Sequence, residues 1–433
     1  MSYRFRISFF LGFLLIGLLS GVAIAEGINF PIFGPIFGPI DATFSVFTQP
    51  QAYQLKATSL LNPNQTIIAF PEWKNRVSAI SVSRIHLQKI GLLYSQVRWI
   101  LDTDKAQTTG VTIVDDCFFE MPIQDAFLFF GKKNIREGVG FGFNPTDFFG
   151  EKKTVDRSRR EEDRRVEREG DYVVGMDAFF DKFSVSAGVC PRIDVGQSDT
   201  RVFAKATVLL DEINTDLSLH YLGSSLSGVG YNLSSTFGDS LVVYSETAYR
   251  YGISSKKVVA LIQDGTPRQY KIREEGHTQF VDTVLGGQFT CSDRSNVILE
   301  YHYHGGGYDD AQWRSLTDYS QYSHDLYLKN TAPELMKSYL QQANGLMNVG
   351  KMRQHMVFLR YSCPELFDRT LASVAILYGL ADGSCVSMPY IEYRYSDTVI
   401  AYLSLYLFSG STTSEFGLLN WDSQVTCSMR WFF

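Results

Sequence analysis

The sequence predicts an all-β fold, an antiparallel transmembrane β-barrel of eighteen strands, with sixteen as the alternative. Three observations carry this expectation. Apolar and polar residues alternate along most of the chain in segments of roughly ten residues, the length that crosses a bilayer as a tilted strand. The connections between these segments are short and long by turns. The chain also ends on such a segment, where Val425, Cys427, Met429, Trp431 and Phe433 alternate with Gln424, Thr426, Ser428, Arg430 and Phe432. Period two sets the first group on one strand face and the second on the other.

Composition removes the competing classes. The 433 residues include 32 Phe, 24 Tyr and 5 Trp, an aromatic load that excludes a disordered chain. After residue 25, no stretch approaches the ~20 apolar residues of a membrane-crossing helix. Residues 1–25 read as a secretory signal peptide, with Arg4 and Arg6 before the apolar run Ile7 to Leu19 and Ala23-Ile24-Ala25 at the cleavage point. Without them the chain keeps 38 basic and 46 acidic side chains. A net charge of that sign excludes a nucleic-acid binder, which needs clustered, uncompensated cations.

Taken in order, residues 26–41 form a Pro/Gly-rich lead-in whose Pro-Ile-Phe-Gly repeat disfavours strand pairing. The barrel then occupies 42–433. Its strands are expected at 42–58, 76–86, 90–102, 109–121, 124–134, 171–180, 182–191, 201–211, 214–224, 228–237, 240–251, 277–291, 295–306, 353–363, 370–380, 384–396, 398–409 and 423–433. If everything before residue 85 lay outside the wall, sixteen would remain. Counting back from Phe433, every second connection is at most six residues, while the long ones (59–75, 135–170, 252–276, 307–352, 410–422) share the other side. That parity is the signature of short periplasmic turns and long outer loops. Tyr94, Trp99, Tyr221, Tyr251, Tyr393, Tyr395 and Trp431 suit the aromatic girdles. Within 307–352, Leu335, Met336, Tyr339, Leu340, Ala343, Leu346 and Met347 keep helical spacing after Pro333, so a helix over 333–347 should pack on a loop or fold into the mouth.

The C-terminal segment resembles the last strand of bacterial outer-membrane barrels, whose terminal aromatic is read by the barrel-assembly machinery; the resemblance gives Phe433 that role. A second stretch, Gly131 to Phe149, is similar to a segment of Gram-negative porin-like outer-membrane families. There Gly-Lys/Arg-Gln-x-Ile-x-Trp-Gly-x-Gly precedes Phe-Asn-Pro-x-Asp. Gly131, Lys132, Ile135, Gly138, Gly140, Phe143, Asn144, Pro145 and Asp147 match, while Glu137 stands where the family has Trp. The resemblance covers this stretch and the general barrel pattern, and leaves the subfamily open. It implies a loop folded inside the channel, with Asn144-Pro145 making its turn and Arg136, Glu137 and Asp147 reaching the constriction.

Facing parity adds Arg98, Glu300, His302, His304, Arg360, Glu392 and Arg394 to the expected pore lining. Opposed charges at a constriction set selectivity. Glu300, His302 and His304 bring carboxylate and imidazole to one face, a ligand combination some metals accept, yet such residues more often line a wet lumen. No metal or cofactor is assigned. The glycines at 138, 140 and 142 lack the strand–turn–helix setting of a phosphate loop. No motif marks a hydrolase, and no catalytic residue is expected. The six scattered cysteines read as small apolar residues.

The leading expectation is therefore an outer-membrane channel for passive diffusion of small polar solutes, narrowed by residues 135–150. The alternative is a surface-exposed structural or interaction protein with a blocked lumen. Expected partners are outer-membrane lipid and lipopolysaccharide; residues 151–170 read first as a solvated outer loop, with contact to lipopolysaccharide phosphates through Arg157, Arg159, Arg160, Arg164, Arg165 and Arg168 as the alternative. A homo-oligomer is compatible with this class, although no interface is marked in the sequence.

Overall fold

In the computed structural model, residues 37–433 are described apart from 89, 105–106, 150–167, 192, 194–199, 211–214, 225–226 and 264–265. Residues 1–25, expected as a signal peptide, residues 26–36 and the arginines at 157, 159, 160, 164 and 165 lie outside the described residues.

Eighteen antiparallel strands form one closed wall: β1 (Phe37–Leu55), β2 (Trp73–Leu87), β3 (Gly91–Thr103), β4 (Thr108–Ile123), β5 (Ala126–Lys133), β6 (Asp171–Phe179), β7 (Phe183–Cys190), β8 (Arg201–Leu210), β9 (Thr215–Gly223), β10 (Ser227–Phe237), β11 (Leu241–Gln263), β12 (Thr266–Thr290), β13 (Asn296–His304), β14 (His355–Phe367), β15 (Thr370–Gly379), β16 (Cys385–Ser396), β17 (Val399–Ser409) and β18 (Trp421–Phe432). Each pairs with its sequence neighbours, and β1 pairs with β18 from Ser45↔Phe432 to Leu55↔Trp421. Closure follows from the solvent. Hydrocarbon offers no partner to an unpaired N–H or C=O, so a spanning sheet cannot keep an edge.

The expected alternation is real. Val243, Tyr249, Leu285, Leu299, Leu359, Ile391, Leu403 and Val425 are exposed on the outer face. Their strand neighbours Tyr244, Ala248, Val284, Ile298, Phe358, Tyr390, Tyr402 and Thr426 are buried inside. The strand count favours eighteen over sixteen. At one end no connection exceeds five residues, and the long ones gather at the other.

Three expectations need correction. Residues 252–276 are not an irregular loop: β11 and β12 run on as a hairpin to Gln263↔Thr266. Backbone pairing and packing on the cap, where Val258 is buried beside Trp313 and Leu316, sustain this extension, so it shows no alternation toward lipid. The lead-in also ends earlier than expected, because Phe37 and Ile40–Thr43 already pair with β2. A proline withholds one N–H, but the β1–β18 ladder begins only at Ser45, and the register break between Phe37 and Ile40 accommodates Pro39. Finally, two helices rather than one occupy the 305–354 connection, α1 (Asp310–Leu328) and α2 (Pro333–Leu346).

These helices form a cap at the long-loop end. Trp313, Leu316 and Tyr319 of α1 and Ala343 of α2 pack with Leu60 and Leu61 from the 56–72 connection and with Leu418 from 410–420. Polar groups fasten it: Trp313 Nε1 donates to Thr413 O at 2.9 Å, Asn344 Nδ2 to Leu61 O at 2.8 Å, and Ser59 Oγ to Asn420 Oδ1 at 2.9 Å. Glu415, fully buried, accepts the backbone N–H groups of Gly350 (2.5 Å), Met352 (3.2 Å) and Arg353 (3.2 Å).

Candidate functional site: a loop pinned inside the barrel

Residues 134–149 leave the end of β5 and cross the interior to the opposite wall. Asn134 N donates to Asp116 Oδ1 of β4 at 2.5 Å as the segment departs. Its far stretch is held by two inward carboxyls. Glu246 of β11 accepts the N–H of Val139 at 2.8 Å, of Gly140 at 3.1 Å and of Thr146 at 2.6 Å, and the Thr146 hydroxyl at 2.8 Å. Glu300 of β13 accepts the N–H groups of Phe141 and Gly142, the latter at 2.8 Å, with Tyr244 Oη donating at 2.6 Å. Both acids are fully buried. A loop has no ladder of its own for its donors, so the wall supplies the acceptors.

Loop chemistry explains how the chain comes so close. Gly138 holds φ +92°, a left-handed conformation that glycine adopts freely. At Gly142 a Cβ would stand 2.8 Å from Glu300 Oε2 and 2.9 Å from Phe358 Cγ, so only hydrogen fits. Asn144 Nδ2 closes the turn on Gly140 O at 2.5 Å, and Arg250 Nη2 donates to Pro145 O at 2.6 Å. Apolar side chains complete the seat. Phe143 stacks on His302 with centroids 4.0 Å apart, and Phe141 stacks on Phe358 at 5.9 Å. Phe148 and Phe149 join Phe129, Val173, Phe203 and Leu222 in a buried cluster.

No family model matches the sequence, and no curated protein matches it. Solved structures do share its architecture. Pseudomonas aeruginosa OccK5 (OpdH) is 9% identical with a TM-score of 0.52, over 91% of this chain and 98% of that one. Acinetobacter baumannii OccAB4 is 8% identical with a TM-score of 0.51, over 92% and 98%. Pseudomonas aeruginosa OccK2 (OpdF), solved in complex with glucuronate, is 9% identical with a TM-score of 0.50, over 92% and 99%. The fold is that of an outer-membrane porin.

Within this porin fold the residues expected to line the pore divide into two groups. Arg136 and Arg394 are exposed, the first on the loop and the second near the short-turn end of β16. Arg98 is partly exposed and donates to Asp115 Oδ1 at 2.8 Å. The others depart from the expectation of solvent-facing charge. Glu300 lies wholly under the loop. Glu137 is buried 3.3 Å from His220 Nδ1, and His220 Nε2 meets Asn232 Nδ2 at 2.9 Å. Arg360 is buried with Cζ 4.7 Å from the Phe141 ring centroid, and Glu392 is buried accepting from Tyr390 Oη at 3.2 Å. His302 is covered by Phe143, while His304 stays partly open and its Nδ1 meets Asp282 Oδ1 at 2.6 Å. For the groups beside the loop the physical reason is common: an inward charge next to a packed loop gains more from fixed partners than from confined water.

Asp147 makes a bidentate pair with Arg168, through Nη1 and, at 2.9 Å, Nη2. This ties the end of the loop to the segment re-entering β6. Asp147→Ala removes both bonds from a guanidinium that is 8% exposed. The loss should be on the order of 3 kcal/mol. Hydrogen exchange at the Val139, Gly142 and Thr146 amides should then accelerate by roughly two orders of magnitude. Exchange at the wild-type rate would show that the pair does not hold the loop.

Proposed function

We propose that this porin-fold barrel is an outer-membrane channel for passive diffusion of small polar solutes, narrowed by residues 134–149. The observation that carries the proposal is the fastening of that loop to Glu246 and Glu300. Five backbone donors converge on two inward acids of β11 and β13, which supports a lateral obstruction on that side of the lumen. On that other side, Arg84 of β2, Tyr94 and Arg98 of β3, Arg394 of β16 and Arg430 of β18 are exposed or half-buried. A solute would pass between these groups and Arg136.

Planar-bilayer recording of the purified chain tests the proposal: discrete conductance steps support it, and their absence refutes it. Arg136→Glu reverses an exposed charge on the loop and should move the reversal potential in a salt gradient toward cation preference. An unmoved potential would take Arg136 out of the constriction. A second reading has one observation in its favour. The buried cap of Leu60, Leu61, Trp313, Leu316 and Leu418 covers the long-loop mouth, as a surface protein with a blocked lumen would require. Zero conductance from correctly folded barrels would favour it. For assembly, the reading keeps Phe433 as the recognised terminus: it is 75% exposed while its N–H donates to Phe44 O at 2.9 Å.

A further inference from the structure

Two adjacent strands bring three metal-competent side chains to one inward spot. His302 and His304 lie two residues apart on β13 and therefore share a face. On β12, Asp282 stands directly across from His304 in the strand register. One donor atom from each of the three residues lies within 4.8 Å of the other two. The imidazoles are 24° from parallel with centroids 5.9 Å apart. We infer that Asp282, His302 and His304 form a binding site for a divalent transition-metal ion of the zinc class.

Ligand chemistry selects that class. Two imidazoles and one carboxylate are borderline donors that suit zinc and its neighbours, whereas calcium and magnesium require an all-oxygen shell. Three protein ligands with a fourth position left to water is the arrangement of an open zinc site. Bonds of about 2.0–2.1 Å in a tetrahedron separate ligand atoms by about 3.3 Å, so the widest pair must contract by roughly 1.5 Å. Small rotations of the two rings supply that movement. His304 can contribute in either of two ways. It can turn its Nδ1 from Asp282 to the ion, or keep that bond and present Nε2, oriented by the carboxylate as metal-bound histidines commonly are.

The surroundings support cation binding and give a way in. Glu300, two residues before His302, and Glu246 place two more carboxyls on the same inner face as the guanidiniums of Arg360 and Arg250, the Nε of the latter lying 3.8 Å from Asp282 Oδ2. Phe143 shields His302 on the loop side, and the Phe280 ring meets His304 edge-on at 5.5 Å. The His304 side chain keeps 17% of its surface open, which leaves a route to the lumen. The ion would lie beside the loop residue Phe143 and would brace the constriction. The site stands independently of transport, since it would bind metal in a barrel that conducts or in one that does not.

The test uses the full-length chain in detergent, purified without a polyhistidine tag, with zinc ion as the probe. Calorimetric titration and metal content after dialysis should give one tight equivalent. His304→Gln, His302→Asn and Asp282→Asn should each weaken it by roughly a hundredfold or more. His324→Gln, which alters a histidine on α1, should leave it unchanged. X-ray absorption on the wild-type complex should show nitrogen and oxygen neighbours with two imidazole signatures, a readout that needs no variant. Absence of a stoichiometric ion in the wild type, retention by folded His304→Gln, or a spectrum without imidazole would each overturn the assignment.

Discussion

Replacing Glu246 and Glu300 together by alanine is expected to raise single-channel conductance by roughly twofold or more. The current should also become noisier. Each acid sits on a rigid strand and holds loop donors a hundred or more residues away in sequence. Hydrogen bonds to an ionised acceptor contribute about 1.5–3 kcal/mol each, well above the neutral average. Two effects oppose one another here. Burying the carboxyls costs several kcal/mol apiece in lost hydration, which five N–H groups and two hydroxyls offset. The alanine pair removes the cost together with the compensation, but the loop amides are then left with water as their only new acceptor. Only the released loop gives water room to reach them. Glu246→Gln alone should lie between the two states, because its amide keeps one acceptor and turns a donor toward other donors. If the double variant conducted like the wild type, the loop would not be the constriction.

The second large effect concerns pH and the cap. Burial pushes the Glu415 carboxyl up to about 7 from the ordinary 4.5, against the three N–H groups that favour its charged form. Nearby Asp382 adds to the rise. Between those two values the closed cap binds a proton that an opened cap releases. Closed-cap stability is therefore greatest below pH 4.5 and declines as pH rises toward 7, by roughly 3 kcal/mol in total. Hydrogen exchange at the Gly350 and Met352 amides, corrected for intrinsic rates, should show slower opening at pH 5 than at pH 8. Glu415→Gln copies the protonated form and should flatten that dependence. A pH slope that survives in Glu415→Gln would place the titrating group elsewhere.

The barrel wall was legible because lipid and lumen impose opposite demands on successive residues. Val297, Leu299, Tyr301 and Tyr303 against Ile298, Glu300, His302 and His304 on β13 show that demand plainly. Beyond the bilayer the demand lapses, and so did the signal: the outer reaches of β11 and β12 carry Lys256, Lys257, Arg273 and Glu274 without a lipid face. Helix α1 escaped notice because its buried stripe mixes Trp313, Leu316 and Tyr319 with Thr317, Ser320 and Ser323. Its capping box, with Asp309 and Gln312 three residues apart, was the available clue. The loop motif pointed to a turn at Asn144-Pro145, where Asn144 Nδ2 donates to Gly140 O, but it placed Asp147 at the constriction and gave no sign of its pair with Arg168. The anchoring role of Glu246 and Glu300 was hidden, because an inward acid looks the same in sequence whether it meets water or a distant amide.

The join between β1 and β18 has a consequence for biogenesis. The first strand's partner is β18, so the cylinder cannot close until residues 421–432 have been made. Until then two unpaired borders with oily flanks face an aqueous compartment, where they invite coalescence with other chains. A fragment lacking residues 421–432 should therefore accumulate as aggregate rather than as a smaller pore.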